Sequence, residues 1–256
     1  HCSFSKDNTV RVWNVEKEQC VYVCEYNNPT SIAIHPTMKN IFFTSNTAGE
    51  IHYWSLDQTN ASSTSRGSAK KKRKLSKKES KSIAEDTSVK KAITLTSKTL
   101  FATSAKGIDI NQIITTERSV PDSELNVILV SKTSRGQIDV YDINPKVIKK
   151  SKEAKTVSTF KLEEDTGLCK MDVTSNGEYV CGGDDDGTVF IKNLISGKLV
   201  AELEYHRIKG QIQDIAVSED SKYILFTSEY GLIFRFDFDP DQLKKNKDKA
   251  NANIAD

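Results

Sequence analysis

Long apolar runs are absent from this 256-residue chain, and none approaches the roughly 20 residues of a membrane-spanning helix. No secretory leader pattern is visible either. Sulfur is sparse and does not pair up: the five cysteines, Cys2, Cys20, Cys24, Cys169 and Cys181, are an odd number and form no Cys-x-x-Cys. Cys20 and Cys24 lie four positions apart on one strand, so they are expected to face the same way, too far apart to bridge. Buried or half-buried free thiols in a reducing compartment follow, and we expect a soluble, intracellular chain. The phosphate-cradling and catalytic motifs GxGxxG, P-loop, HExxH and GxSxG are all missing. His1, His35, His52 and His206 are scattered, with no nucleophile–base pairing in view. The hydrophobic share of 37% is low for a compact enzyme. We therefore expect no catalytic residue, no cofactor and no small-molecule substrate.

What the chain does hold is a repeated unit, clearest at 179–205. Tyr179–Gly183 is a short β-prone run, and Asp184-Asp185-Asp186-Gly187 is a turn, since Asp bonds its own backbone and Gly supplies positive φ. Thr188–Leu194 is a second strand, Ser196-Gly197-Lys198 a second turn, and Leu199–Leu203 a third strand. Three strands on two tight turns make an antiparallel meander. The same turn-then-strand form recurs at Asp7–Val15, Ala48–Leu56, Arg135–Ile143 and Tyr230–Phe238. Gly49 to Gly136 reads as two periods, while Gly136, Gly187 and Gly231 follow one period apart. The period is roughly the 40–45 residues of a four-stranded propeller blade.

Asp7-Asn8-Thr9-Val10-Arg11-Val12-Trp13-Asn14 and Asp186-Gly187-Thr188-Val189-Phe190-Ile191-Lys192-Asn193 resemble the WD40 repeat, whose third strand typically reads DGTIRLWD. The resemblance covers most of the chain outside one insert. It implies an all-β propeller of about five to six four-stranded antiparallel blades. Tyr141, Lys192 and Phe236 stand where the repeat has Trp, and the Gly-His pair before each blade is missing. The family's Ser-His-Asp-Trp tetrad is therefore not expected in most blades, and apolar packing should hold them. His1–Ser5 reads as a second strand without its first, and Leu232–Phe238 as a third without its fourth. The ring should be incomplete, and the chain part of a longer protein.

In order, residues 1–57 read as blades, 58–91 as a polar insert, 92–240 as blades and 241–256 as a polar tail. His35-Pro36 closes a first strand, as this family's His-Pro pairs do. Within the second stretch, 92–95, 100–104 and 107–113 read as three short strands of a poor blade. Asp184–Asp186 suggests a cation site only weakly, because carboxylates suit hard metals but a turn explains every residue. No metal is expected.

Charge carries the functional signal, although the net value is only +2. The insert holds Lys70, Lys71, Lys72, Arg73 and Lys74, then Lys77, Lys78 and Lys81. Like charges this dense repel, and without apolar periodicity they predict a disordered surface loop. The run resembles a nuclear localisation signal and is also suited to phosphate contact. A second basic connector carries Lys146, Lys149, Lys150, Lys152 and Lys155. No aromatic residue interleaves the first run, which argues against base-specific RNA reading. The expected role is a non-catalytic WD40 scaffold in a nuclear assembly, the nucleolus included, with ribosome biogenesis (pre-rRNA processing) foremost. A chromatin-complex subunit and a direct RNA-binding protein using its Lys-rich loops are the alternatives. Partners would be proteins of a large complex, with non-specific RNA contact and no membrane. Asp184, Asp185 and Asp186 should mark an acidic face opposite the basic loops.

Overall fold

The computed structural model describes residues 1–58, 93–102, 108–118, 126–144, 154–162, 169–204 and 210–237. All regular structure among them is β-strand, in five antiparallel sheets taken in chain order. The first is β1 (Cys2–Ser5), β2 (Thr9–Asn14) and β3 (Gln19–Glu25). The second is β4 (Pro29–Ile34), β5 (Ile41–Asn46), β6 (Glu50–Gln58) and β7 (Ile93–Ala102). The third is β8 (Ile110–Arg118), β9 (Asn126–Thr133), β10 (Gln137–Asp142) and β11 (Lys155–Lys161). The fourth is β12 (Met171–Val173), β13 (Tyr179–Gly183), β14 (Val189–Asn193) and β15 (Leu199–Leu203). The fifth is β16 (Ile212–Val217), β17 (Tyr223–Ser228) and β18 (Ile233–Asp237). Each is a simple meander, and among the described residues the sheets do not close into a ring.

The strands are set by β-branched and aromatic alternation, and the hairpins by residues that accept positive φ. Gly49, Gly136, Gly187 and Gly231 take φ of 80°, 75°, 96° and 74° in four of the five equivalent turns. Asn8 takes the same place in the first, at 64°, because its short amide side chain tolerates the left-handed region. Its Oδ1 also accepts the Asn28 N–H at 2.9 Å, which ties the turn to the next sheet.

Register makes the five sheets equivalent. In the two strands flanking each of these turns, Ser3 pairs with Arg11, Thr44 with His52, Ser131 with Asp139, Gly182 with Phe190 and Phe226 with Phe234. Two residues beyond each partner stand Trp13, Trp54, Tyr141, Lys192 and Phe236. This alignment makes β1 the counterpart of β5, β9, β13 and β17, as the sequence suggested. Among the described residues the first sheet has no counterpart of β4, and the fifth none of β7.

The sheets stack face to face, and the face each turns toward the next is its forward face. Val10 and Val12 of the first pack on Phe42 and Trp54 of the second. Ile41, Phe43 and Ile51 then meet Ile110, Ile113 and Leu129. Ile128, Val130 and Ile138 meet Met171, Val173 and Val180. Tyr179, Cys181 and Val189 meet Ile212, Ile215 and Phe226. The leading strands β4, β8, β12 and β16 neighbour one another in that order. Side chains stitch them: Gln112 donates to Met171 O at 2.8 Å and accepts Met171 N–H at 2.7 Å, and Asp172 accepts Val217 N–H at 2.7 Å. Ser31 accepts Ile113 N–H at 3.1 Å in the same manner.

Three expectations are corrected. Gly49 and Gly136 lie one sheet apart, not two periods, because residues 59–92 separate the third and fourth strands of a single sheet; five sheets result. Residues 93–102 are one strand, not parts of two. β6 is itself nine residues long and pairs along its length, from Glu50 opposite Ala102 to Gln58 opposite Ile93. Residues 110–118 then open the third sheet rather than ending a poor blade. Cys20 and Cys24 do not face the same way. A bulge at Val12/Trp13 sets Trp13 opposite Cys20 while Val10 stays opposite Cys24, and one extra residue moves a side chain to the other face. Cys24 is buried and Cys20 exposed.

Candidate functional site

The acidic turn joins β13 to β14. Asp184 is spent on the turn itself: its Oδ1 accepts the N–H groups of Asp186 at 3.0 Å and Thr188 at 2.8 Å. Its carbonyl accepts Ile212 N–H at 3.0 Å from the fifth sheet, and the Cys169 thiol donates to the same oxygen at 3.3 Å. Asp185 and Asp186 are exposed, and Asp185 Oδ1 accepts Gln211 Nε2 at 2.9 Å. Two of the three carboxylates therefore face solvent.

Behind the turn lies a cation that the sequence reading missed. Lys132, on β9, is fully buried between the third and fourth sheets, and its Nζ donates to Cys169 O. Desolvation pulls the ammonium down to about 8, opposed by the nearby Cys169 and Asp185 and reinforced by Lys170. The Cys169 thiol is pushed up to about 11 by the same burial. A signal existed: alternation along Ile128-Leu129-Val130-Ser131-Lys132 puts Lys132 on the apolar side with Ile128 and Val130. The equivalent forward positions in the second, fourth and fifth sheets are Ser45, Gly183 and Thr227, all smaller.

Of the basic residues, Lys70, Lys71, Lys72, Arg73, Lys74, Lys77, Lys78 and Lys81 lie outside the described residues, as do Lys146, Lys149, Lys150 and Lys152. Lys155 opens β11, exposed and opposite Asp142. Both basic segments connect a third strand to a fourth, β6 to β7 and β10 to β11. In any antiparallel sheet that link leaves the opposite end of the third strand from the turn entering it. The acidic turn enters a third strand, β14.

His35 and His52 serve local structure, and His206 lies outside the described residues. Buried His35 Nδ1 accepts the N–H groups of Thr37 at 3.3 Å and Met38 at 3.2 Å, closing the turn after β4, and burial lowers its pKa. His52 sits edge-on to Tyr26 at 4.8 Å. Among the described residues no group of three or more His, Cys, Asp or Glu side chains is placed to hold a metal ion, and no helix is long and apolar enough to cross a membrane. A shallow hollow of about 440 Å³ beside the β2–β3 turn is walled by Val12, Trp13, Val15, Val21, Tyr22 and Leu56. Asn14 and Glu16 complete the lining, so its walls are mixed apolar and polar. Compared with known proteins, the chain matches no described family, and no curated protein matches it.

Proposed function

We propose that the five sheets are blades of a WD40-type propeller, and that the protein is a non-catalytic scaffold within a nuclear or nucleolar assembly. Pre-rRNA processing is the foremost setting. The carrying observation is the fivefold equivalence of register, with leading strands neighbouring one another in chain order. Blades ranged about an axis have that arrangement. Two of the equivalent positions also keep a hydroxyl–indole bond, Trp13 Nε1 to Ser3 and Trp54 Nε1 to Thr44, each at 2.8 Å. The nuclear setting draws on the run Lys70–Lys74, whose composition fits an import signal.

Changing Lys70, Lys71, Lys72, Arg73 and Lys74 to Gln should move the fluorescently tagged full-length protein from nucleus to cytoplasm. An unchanged distribution would remove the nuclear reading. Purification of the tagged protein with and without ribonuclease tests the scaffold reading. The same protein partners should remain after treatment. Loss of all of them, together with tight binding to one defined RNA, would favour the direct RNA-binding reading. Recovery of chromatin proteins alone would move the assembly to that setting.

A further inference from the structure

The forward faces can be compared position by position. Register equates Cys2, Val10 and Val12 with Phe43, Ile51 and Tyr53, with Val130, Ile138 and Val140, with Cys181, Val189 and Ile191, and with Leu225, Ile233 and Arg235. One step along the second strand, Ile41, Ile128, Tyr179 and Tyr223 are likewise equivalent. In the first four sheets these positions are buried or half-buried under the following sheet. In the fifth they face solvent: Tyr223 is 38% exposed, Leu225 42% and Ile233 75%. An apolar row at positions that the preceding sheets bury or half-bury is not an ordinary scatter of surface side chains.

We infer that this face of the fifth sheet docks a further antiparallel β-sheet supplied from outside these 256 residues. The partner's facing side presents apolar side chains to Tyr223, Leu225 and Ile233, with its leading strand lying along β17. Existing interfaces supply the geometry, since β4 lies against β1, β8 against β5 and β16 against β13. They also exclude the nearest occupant. Covering is done each time by a leading strand, and among the described residues the first sheet has none. Its free side repeats the second sheet's Thr44, His52 and Trp54 as Ser3, Arg11 and Trp13, but exposed, polar His1 stands where the second sheet offers Phe42 and the fifth Ile224. Neither this chain's first sheet nor that of a second copy reproduces the required surface. Arg235 is the one departure from the apolar set. Its guanidinium lies 5.1 Å from the centre of the Tyr223 ring and 3.3 Å from Asp237. Asp237 already gives Arg235 a carboxylate partner, so a covering sheet meets an ion pair at this place rather than a lone cation. The inference rests on stacking and register and does not require the scaffold reading.

The test places the photo-reactive residue p-benzoylphenylalanine at position 233 of the full-length protein in its own cells. Cross-linked peptides are then identified by mass spectrometry. The expected product joins position 233 to an alternating apolar strand outside residues 1–256. Leu225→Asp should lower its yield at least tenfold, while a probe at exposed Val15 keeps its own yield. The isolated chain carrying Leu225→Asp should keep its melting temperature within about 2 °C, because the side chain is already wet; this separates lost docking from lost folding. Cross-links within residues 1–256, from the same or a second copy, would overturn the inference. So would no cross-link at position 233, or a yield indifferent to Leu225→Asp.

Discussion

Trp54 donates its indole N–H to Thr44 inside the stack, where both residues are buried. Trp54→Phe keeps most of the ring but leaves that hydroxyl without its donor. Urea unfolding should show a loss of about 1–2 kcal/mol. Trp13→Phe should cost less, because the Trp13–Ser3 bond is only partly buried. Lys132 behaves differently, since its cost depends on pH. Its folded pKa of about 8 lies below the unfolded value of about 10.4. Between those values the unfolded chain binds more protons, so this group's contribution to stability rises with pH. Below about 8 the penalty is fully present, and above about 10.4 it is gone. The stability of wild type relative to Lys132→Met should therefore climb by on the order of 2–3 kcal/mol across that window. Comparing the two proteins on a Cys169→Ala background removes the one thiol coupled to Lys132, and the difference then cancels the other nearby titrating groups. A flat difference would mean that the ammonium is hydrated.

Turns and close approaches govern the elements. Gly136 holds φ at 75° between β9 and β10, and Gly136→Ala should lower stability by about 1–2 kcal/mol through left-handed strain. Gly183 is small for another reason. A Cβ there would lie 2.4 Å from Ile212 Cβ, across the contact between the fourth and fifth sheets. Gly183→Ala should cost about 1–3 kcal/mol by overpacking, measured by urea unfolding, and Ile212→Val should not relieve it, because valine keeps the Cβ and both Cγ atoms that the new methyl meets. Gln112 binds both backbone groups of Met171 across adjacent sheets. Losing it leaves those two polar groups unpaired between sheets three and four. Gln112→Ala should therefore loosen that junction, seen as faster amide exchange in β8 and β12 ahead of β17.

For the whole molecule, the two basic segments share a place in the topology, each between a third and a fourth strand. The propeller arrangement we propose puts them on one side and Asp185 with Asp186 on the other. If the basic side meets single-stranded nucleic acid through five neutralised phosphates, log affinity should fall with log salt at a slope of about −3.5. Neutralising both lysine clusters should flatten that slope, while Asp185→Asn with Asp186→Asn should leave it unchanged. The opposite pattern would place the contact on the acidic side.

Much of the local structure was legible in the sequence, because turns and alternation are short-range. Asp184–Gly187 closes its own hydrogen bonds, and the β-branched runs beside it pair with their nearest neighbours. The five positive-φ turn positions are set by residues that tolerate that backbone. Counting sheets required more. The spacing from Gly49 to Gly136 fits two repeats as well as one repeat with an insert, and the pairing of β6 with β7 across residues 59–92 decided between them. One bulge turned Cys20 away from Cys24, a shift that spacing along a strand does not reveal. Alternation placed Lys132 on an apolar side, but only the adjoining fourth sheet made that position dry. The same holds for Tyr223, Leu225 and Ile233, which match buried residues in pattern yet face water here. Strand character is a property of a few neighbouring residues; burial depends on which surface arrives opposite, and that is settled by the stacking of distant parts of the chain.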